Sequence, residues 1–548
     1  MHGHGHRHGR LRVMGITRGC GGTGPKMARV LRLSGRARAV ICTLAVSLGA
    51  GRAQAAGVVG DGTPQSCTEA ALVARLAGGG TVTFNCGAPV VIPITSAKTI
   101  ASTTTIDGSG QAITLDGGVA TRFFQTTFDF SPITITLRSL TLRNGRAPDF
   151  GGAIRLAYQD PPNWTTLNVD RVAFQANVAA AAGNDVGGGA IYAQGGRVNI
   201  TGSTFTNNRG GNGGAIGNLQ AVFNIQDSTF TGNTTHAQSQ QFAGNGGAIY
   251  VDGSSNRLLV IRGCTFRQNT STNLGGAIHV YQYAGISGLS IEESTFDRNI
   301  TVNNGGALYH QNGALSVARS TFVGNETVGQ GGAIWMLQAS SVGISNSTFT
   351  GNRANGFRPN NGSVGLGGAL TIQGSCNVTI SHCTIVGNHA DWVGGGIVGG
   401  MGGGSVTSLR GTIVANNTAT NGGNPWNIAH NCSSQLLDGG FNIQFPTHAQ
   451  PGDPSDPNCA AGVLIAQPNL APLGSQGGPT LTMAPNAGSP ALDAVASGCP
   501  VPVTDQRGRV RPEGPRCDVG AVEGPAGLFA DGFESGDLAN WAFVFPLF

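Results

Sequence analysis

The stretch GGAIYVDGSSNRLLVIRGCTFRQNTSTNL, residues 246–274, decides the fold. Its opening glycines invite comparison with a phosphate-binding loop. Such a loop sits once in a chain, between a strand and a helix N-terminus. Here Gly-Gly-Ala-Ile/Leu begins at Gly151, Gly188, Gly213, Gly246, Gly275, Gly305, Gly331 and Gly367, with a GGGI variant at Gly394, at intervals of 25 to 37 residues. A short apolar alternation follows each copy, and no 3.6-residue period does. The glycines therefore serve the backbone. Gly246 and Gly247 read as a tight corner of positive φ, with Ala248 allowing close packing.

A second element alternates with the first: STFTNN (203–208), STFTGN (228–233), CTFRQN (264–269), STFDRN (294–299), STFVGN (320–325), STFTGN (347–352) and CTIVGN (383–388). One unit holds three short alternating segments, near 248–252, 258–262 and 264–268. Three strands per 25–37 residues fit one coil of a single-stranded, right-handed parallel β-helix, in which each strand pairs with its counterpart one coil on. About a dozen coils at ~4.8 Å each predict a rod on the order of 60 Å long.

Alternation assigns the faces. Inward columns are expected from Ile154, Ile191, Ile216, Ile249, Ile278, Leu308, Ile334, Leu370 and Ile397, and from Phe205, Phe230, Phe266, Phe296, Phe322 and Phe349, continued by Ile385. Two residues before the Phe column stand Ser203, Ser228, Cys264, Ser294, Ser320, Ser347 and Cys383. Three residues after it comes Asn: Asn208, Asn233, Asn269, Asn299, Asn325, Asn352 and Asn388, then Asn416. Such a column can pair side-chain amides from coil to coil, and Asn tolerates a left-handed backbone.

The chain has 548 residues, 90 of them Gly, with 39% hydrophobic and 11% charged residues. No collagen period runs through it, and its regular Ile and Phe can bury a core. Ten of its 32 Lys and Arg lie in residues 1–55, leaving 22 against 27 carboxylates beyond. That acidic excess argues against a nucleic-acid partner. Residues 1–56 read as an N-terminal extension and signal peptide: a basic region from Arg29 to Arg38, the apolar run 39–50, and a cleavage site in AQAA (53–56). The run is too short to span a membrane, so none is expected in the mature chain. A signal from Met1 would be unusually long, so Met27 is the expected start, with Met1 the alternative. The alternating His2, His4, His6 and His8 fall upstream of the signal and make no metal site of the mature protein.

Export favours disulfides. The sequence-near pairs Cys67–Cys86, Cys432–Cys459 and Cys499–Cys517 are preferred among 15 possible pairings of these six cysteines. Cys264 and Cys383 read as small core residues four coils apart, too far to bridge. Cys376 has no place in the repeat.

The alternation of GGA[ILV] and FxxN over roughly residues 140–420 resembles the polymorphic outer membrane protein repeats. QPNLAPLGSQGGPTLTMAPNAGSPALDA and TDQRGRVRPEGPRCDVGAVE, within 466–523, resemble the choice-of-anchor Q domain of secreted bacterial surface proteins. The resemblance implies a pectin-lyase-like fold and an extracellular or cell-surface protein, some relatives of which act as adhesins. The chain departs from the first family in having no series of membrane strands for an autotransporter barrel. The expected organisation is a leader (1–56), an N-terminal cap and first coils (57–150), the repeat β-helix (151–433), a C-terminal cap resembling the choice-of-anchor Q domain (434–525) and a tail, read as a sorting signal (526–548). SCTEAALVARLAGG should form the capping helix, with Thr68 as N-cap and Glu69 in its first turn.

Catalysis has weak candidates. Asp227 and Glu293 share the position three before the Phe column, two coils or ~9.6 Å apart, at the upper limit of inverting glycosidase geometry. The same column holds Arg171, Arg319, His382 and Arg410, and Glu293 should pair with Arg319. Asp505, Arg507, Asp518 and Glu523 read as structural contacts of the C-terminal cap. Binding has better candidates on the outer face after GGA: Tyr250, His279, Tyr309 and Trp335 on four consecutive coils, with Asp252, Tyr281 and Gln311 two residues further on. Outward aromatic rings flanked by polar groups either stack on one another and stabilise the sheet, lie under a long loop, or suit a glycan or a cell-surface protein. The sequence thus predicts a monomeric, non-enzymatic binding protein without cofactor or metal. The alternative is a polysaccharide lyase or glycoside hydrolase on the same fold.

Overall fold

The computed structural model describes residues 56–524, apart from 128–131, 158–164, 182, 237–243, 255–257, 284–287, 357–363, 424–429, 448–455, 497–498 and 500–501. The leader's first 55 residues and the C-terminal tail lie outside the described residues. The chain forms a parallel β-solenoid of about 12 turns, almost without helix. In the unit quoted above, the strands are Ile249–Ser254, Leu258–Arg262 and Thr265–Arg267. A fourth, two-residue strand, Thr270–Ser271, was not legible in the alternation, because two residues show no period. The four strands of each coil feed four sheets of 11, 14, 14 and 10 strands, here called the GGA, middle, Phe and short sheets.

Register holds from coil to coil, Ile249 with Ile278 and Phe266 with Phe296, and slips on the GGA sheet at bulges after Leu219 and Thr371. The expected inward columns are buried. From Phe174 to Phe349 the rings stack at 4.5–4.9 Å between centroids, within 7° of parallel. Each buried ring is worth about 1.5–3 kcal/mol of hydrophobic stabilisation.

Asparagine closes the next corner. Asn299 Nδ2 donates to Asn325 Oδ1 (2.9 Å) and to the Phe266 carbonyl (2.9 Å), while its Oδ1 accepts from the amide and backbone N–H of Asn269. This pattern runs from Asn177 through Asn388 to Asn417 and ends on Asn431. Asn416 is not part of it. Thr384 pairs with Ile413, so Val414 takes the ring position, Asn417 follows three later, and Asn416 holds the left-handed residue between, at φ 54°.

The two glycines do different work. Gly246 has φ +66°, as a tight corner requires, but Gly247 is not left-handed. A Cβ on Gly247 would lie 2.1 Å from the Gly276 carbonyl oxygen one coil on. The first glycine turns the chain, and the second lets two coils touch.

At the N-terminal end the helix Glu69–Leu76 packs Leu72 onto the first strands. Thr68 Oγ1 accepts the Ala71 N–H (3.2 Å), and Glu69 pairs with Lys98, the only lysine after residue 55. Disulfides join Cys67 to Cys86, Cys432 to Cys459 and Cys499 to Cys517; Cys264, Cys376 and Cys383 are free and buried. Cys376 accepts the Ala339 N–H through sulfur at 3.3 Å.

The C-terminal region does not simply seal the end of the rod. Strands at Leu437–Asp438, Ile443–Phe445 and Leu464–Ile465 extend the middle and Phe sheets. Beyond them the chain turns back along the outside of the Phe sheet. Gln506 Nε2 donates to Thr321 Oγ1 (2.9 Å) and its Oε1 accepts from Thr348 Oγ1 (2.7 Å). Asn346 Nδ2 donates to the Thr504 carbonyl (2.6 Å), and the Ala521 N–H to Thr384 Oγ1 (3.1 Å). These contacts strap three coils together laterally.

Candidate functional site

The position three before the Phe column is a left-handed corner: Asp227, Glu293, Arg319 and His382 have φ of 48–49°. Gly411, not Arg410, continues it, for the phase reason that displaces Asn416. Glu293 bonds Arg262 (3.0 Å) and Arg319 (2.9 Å). Burial opposes ionisation of Glu293, but the two guanidinium groups win and hold its carboxyl below the usual range. The exposed Asp227 lies over Gly263, one coil on; a Cβ there would be 2.3 Å from Asp227 Oδ1. Glu293 is thus held ionised between two cations, a poor state for a general acid.

In the C-terminal strap, Asp505 accepts from the backbone of Arg507, Arg509 and Glu523, and Glu523 pairs with Arg511. Burial raises Asp518 to about 6 against the backbone N–H groups of Asp493 and Gly524 that it accepts. These groups are engaged within the strap.

On the GGA sheet, Tyr250, His279, Tyr309 and Trp335 stand in register and turn away from the aliphatic core. Of the two readings of this column, the stabilising stack fits and the open binding face is corrected: their exposures are 6, 6, 6 and 4%. At the coil spacing each ring covers the next, with centroids 5.1, 4.7 and 4.5 Å apart along the series. The π-faces are spent on one another, leaving only edges. Trp335 Nε1 donates to Gln330 Oε1 (3.2 Å) and Tyr309 Oη to Gln311 Oε1 (2.7 Å).

The accessible groups lie two residues further along each strand. Asp252, Tyr281 and Gln311 are half-buried and in register, and Tyr283, edge-on to Tyr281 at 5.9 Å, is 45% exposed. The buried stack thus forms the floor, and this rim offers hydroxyls, an amide, a carboxyl and two phenol faces.

A partner of Asp252 escaped the sequence reading. Asp185 precedes the second GGA turn, outside the periodic register, and its carboxyl shares a hydrogen bond with Asp252. Between their coils Gly217 supplies no side chain, and that gap was the one signal for such a contact. Burial, then the hydrogen bond with Asp185 and its charge, raise Asp252 to about 6. Tyr250 Oη lies 3.5 Å from Asp252 Oδ2, and Tyr192 Oη donates to the Asp185 carbonyl at 2.7 Å. Among the described residues no group of three or more His, Cys, Asp or Glu could hold a metal ion.

Residues 227–252 and 263–281 match the Chlamydia polymorphic membrane protein repeat. The matched spans carry Tyr250, Asp252, His279 and Tyr281. No curated protein and no solved structure matches the chain. The chain is a β-solenoid in which two short spans match that repeat, and the family of the repeat suggests the outer membrane or cell surface. Among the described residues no helix is long and apolar enough to cross a membrane, which leaves β-strand spans open.

Proposed function

We propose that the chain is an exported, non-enzymatic surface protein that binds glycans or cell-surface proteins along the rim of the GGA sheet. The observation that carries this reading is the register of Asp252, Tyr281 and Gln311 over a buried aromatic floor. A floor of stacked rings fixes the strands, so polar groups above it meet a ligand preorganised. The leader accounts for export, and the resemblance of residues 466–523 to the choice-of-anchor Q domain accords with a surface role. The protein acts as a monomer and needs no cofactor. The test is binding of the purified protein to immobilised glycans and matrix proteins, with Tyr281→Ala and Gln311→Ala as variants. Loss of binding at an unchanged melting temperature supports the reading, and unchanged binding sinks it.

The alternative, a polysaccharide lyase or glycoside hydrolase, has the Asp185–Asp252 pair in its favour. Reducing-sugar and unsaturated-uronate assays on plant and bacterial polysaccharides test this directly. Turnover abolished by Asp252→Asn would favour the enzyme.

A further inference from the structure

Near the C-terminal end of the rod, two core columns lose bulk in the same coil. On the GGA sheet the inward residues Val280, His310, Met336 and Ile372 stand in register. The next coil places Gly399 and Gly400 opposite Ile372, at a bulge. On the middle sheet the inward column Leu315, Val342 and Val378 runs into Thr407. The volume so released forms a cleft of about 300 Å³, bounded by residues 399–407 and by 434–437 of the following coil. Leu436 closes over the glycines: a Cβ on Gly399 would lie 2.5 Å from Leu436 Cδ2.

The lining is polar without charge. Ser405, Thr407 and Ser434 bring hydroxyls and Gln435 an amide, against an apolar wall that includes Leu436. Thr407 is 5% exposed, and its Oγ1 has no hydrogen-bond partner among the described residues; neither has the buried Ser405 Oγ. A buried hydroxyl without a partner is costly, and here two line one cleft. Neither oxygen is exposed in the open cleft, so a ligand hydroxyl satisfies each after a χ1 rotation turns it toward the cleft. A charged ligand would lose its hydration against a lining that offers no opposite charge. The volume lies at the small end of the range for ligand pockets.

We propose that this cleft binds one neutral saccharide unit, with Thr407 and Ser405 hydrogen-bonding its hydroxyls and Leu436 packing against its ring. The inference rests on the binding reading above and narrows it to one ligand chemistry at a second place on the rod.

The test uses the full exported chain and saturation-transfer NMR with glucose, galactose and N-acetylglucosamine, with glucuronate as the charged comparator. At least one neutral sugar should saturate the protein, and glucuronate should bind more weakly. Thr407→Val, an isostere that removes only the hydroxyl, should weaken binding roughly tenfold. Ser434→Trp, on the exposed rim, should fill the mouth and abolish it. No neutral sugar binding, or binding unchanged in both variants, overturns the proposal. Glycan-array binding that survives Ser434→Trp but fails in Tyr281→Ala would remove the cleft from adhesion while leaving the rim reading intact. Sugar binding at the cleft without any array or cell binding would do the reverse.

Discussion

Trp335 lies over Tyr309 with ring centroids 4.5 Å apart and planes inclined by 23°, and both rings are almost inaccessible. These side chains therefore act on stability before they can act on a ligand. Trp335→Ala should cost about 3–5 kcal/mol, as for a fully packed aromatic. Tyr281→Ala, on the rim, should cost about 1 kcal/mol or less. Urea denaturation of the two variants separates floor from rim, and equal losses would show that the division is wrong.

The asparagine column predicts a sharper loss. Asn299→Ala leaves one amide proton and the backbone N–H of Asn269 without their acceptor. It also removes the amide donor of Asn325 Oδ1 and the Phe266 carbonyl, although the backbone N–H of residue 299 still donates to Asn325 Oδ1. The expected destabilisation is about 3 kcal/mol, because unpaired buried groups cost more than a hydrogen bond gains. Asn416→Ala, one residue outside the column, should retain much more stability. Its left-handed φ still carries a penalty of about 1 kcal/mol.

Acid should act on two opposed sets of groups. Burial depresses His279 to about 3, His310 to about 4 and His382 to about 3. An unfolded histidine takes its proton near 6.5, so from there down to about 4 the unfolded chain binds more protons and stability falls with pH. Asp252 and Asp518, both raised to about 6, work the other way: the folded chain holds their protons first, so they add stability as pH falls from about 6 to 4. His236, also depressed, joins the histidines, and Glu523, also raised, joins the carboxyls. Glu69 and Glu293, held below their usual range, contribute stability that is lost as they protonate, and the balance is a net loss on acidification. His310→Leu should flatten the dependence of melting temperature on pH between about 6.5 and 4, and Asp252→Asn should steepen it. Slopes unchanged in both variants would contradict these assignments.

Among the described residues the lateral strap rests on two buried ion pairs, Arg507–Asp505 and Arg511–Glu523. Arg511 bonds Glu523 and the Gly520 carbonyl (2.8 Å) and reaches Asn346 Oδ1 of the solenoid (3.2 Å). Arg511→Met strands the Glu523 carboxyl and should cost about 3–5 kcal/mol locally. Limited proteolysis should then cut within residues 466–524 before the coils. Cleavage first inside the repeat would show that the strap is not the weaker unit.

Much of this architecture was legible because two motifs recur in fixed phase. Ile249, Phe266 and Asn269 could be placed by counting alone. Counting failed where the ring was missing: TIVANN carries Val414 in the Phe position, which moved the expected asparagine to Asn416 and the corner to Arg410. Periodicity also said that Tyr250 and Trp335 face outward and allowed either a self-supporting stack or an open binding face, but it could not choose between them. The strap was beyond reach for a different reason. Gln506 meets Ser320 and Thr321 across some 185 residues, through carbonyls and single hydroxyls that leave no pattern in sequence. Asp185 was missed likewise, since it belongs to a loop and meets Asp252 two coils away.

The central claim is that the rim of the GGA sheet binds ligand while the stack beneath it holds the fold. It is tested most directly by measuring the affinity of wild-type protein and the Tyr281→Ala/Gln311→Ala variant for the same immobilised glycans and matrix proteins, with the melting temperature of each. The account predicts at least a roughly tenfold loss of affinity, as for removal of interface anchors, with melting nearly unchanged. Equal affinity of the two proteins for every ligand that the wild type binds would contradict it.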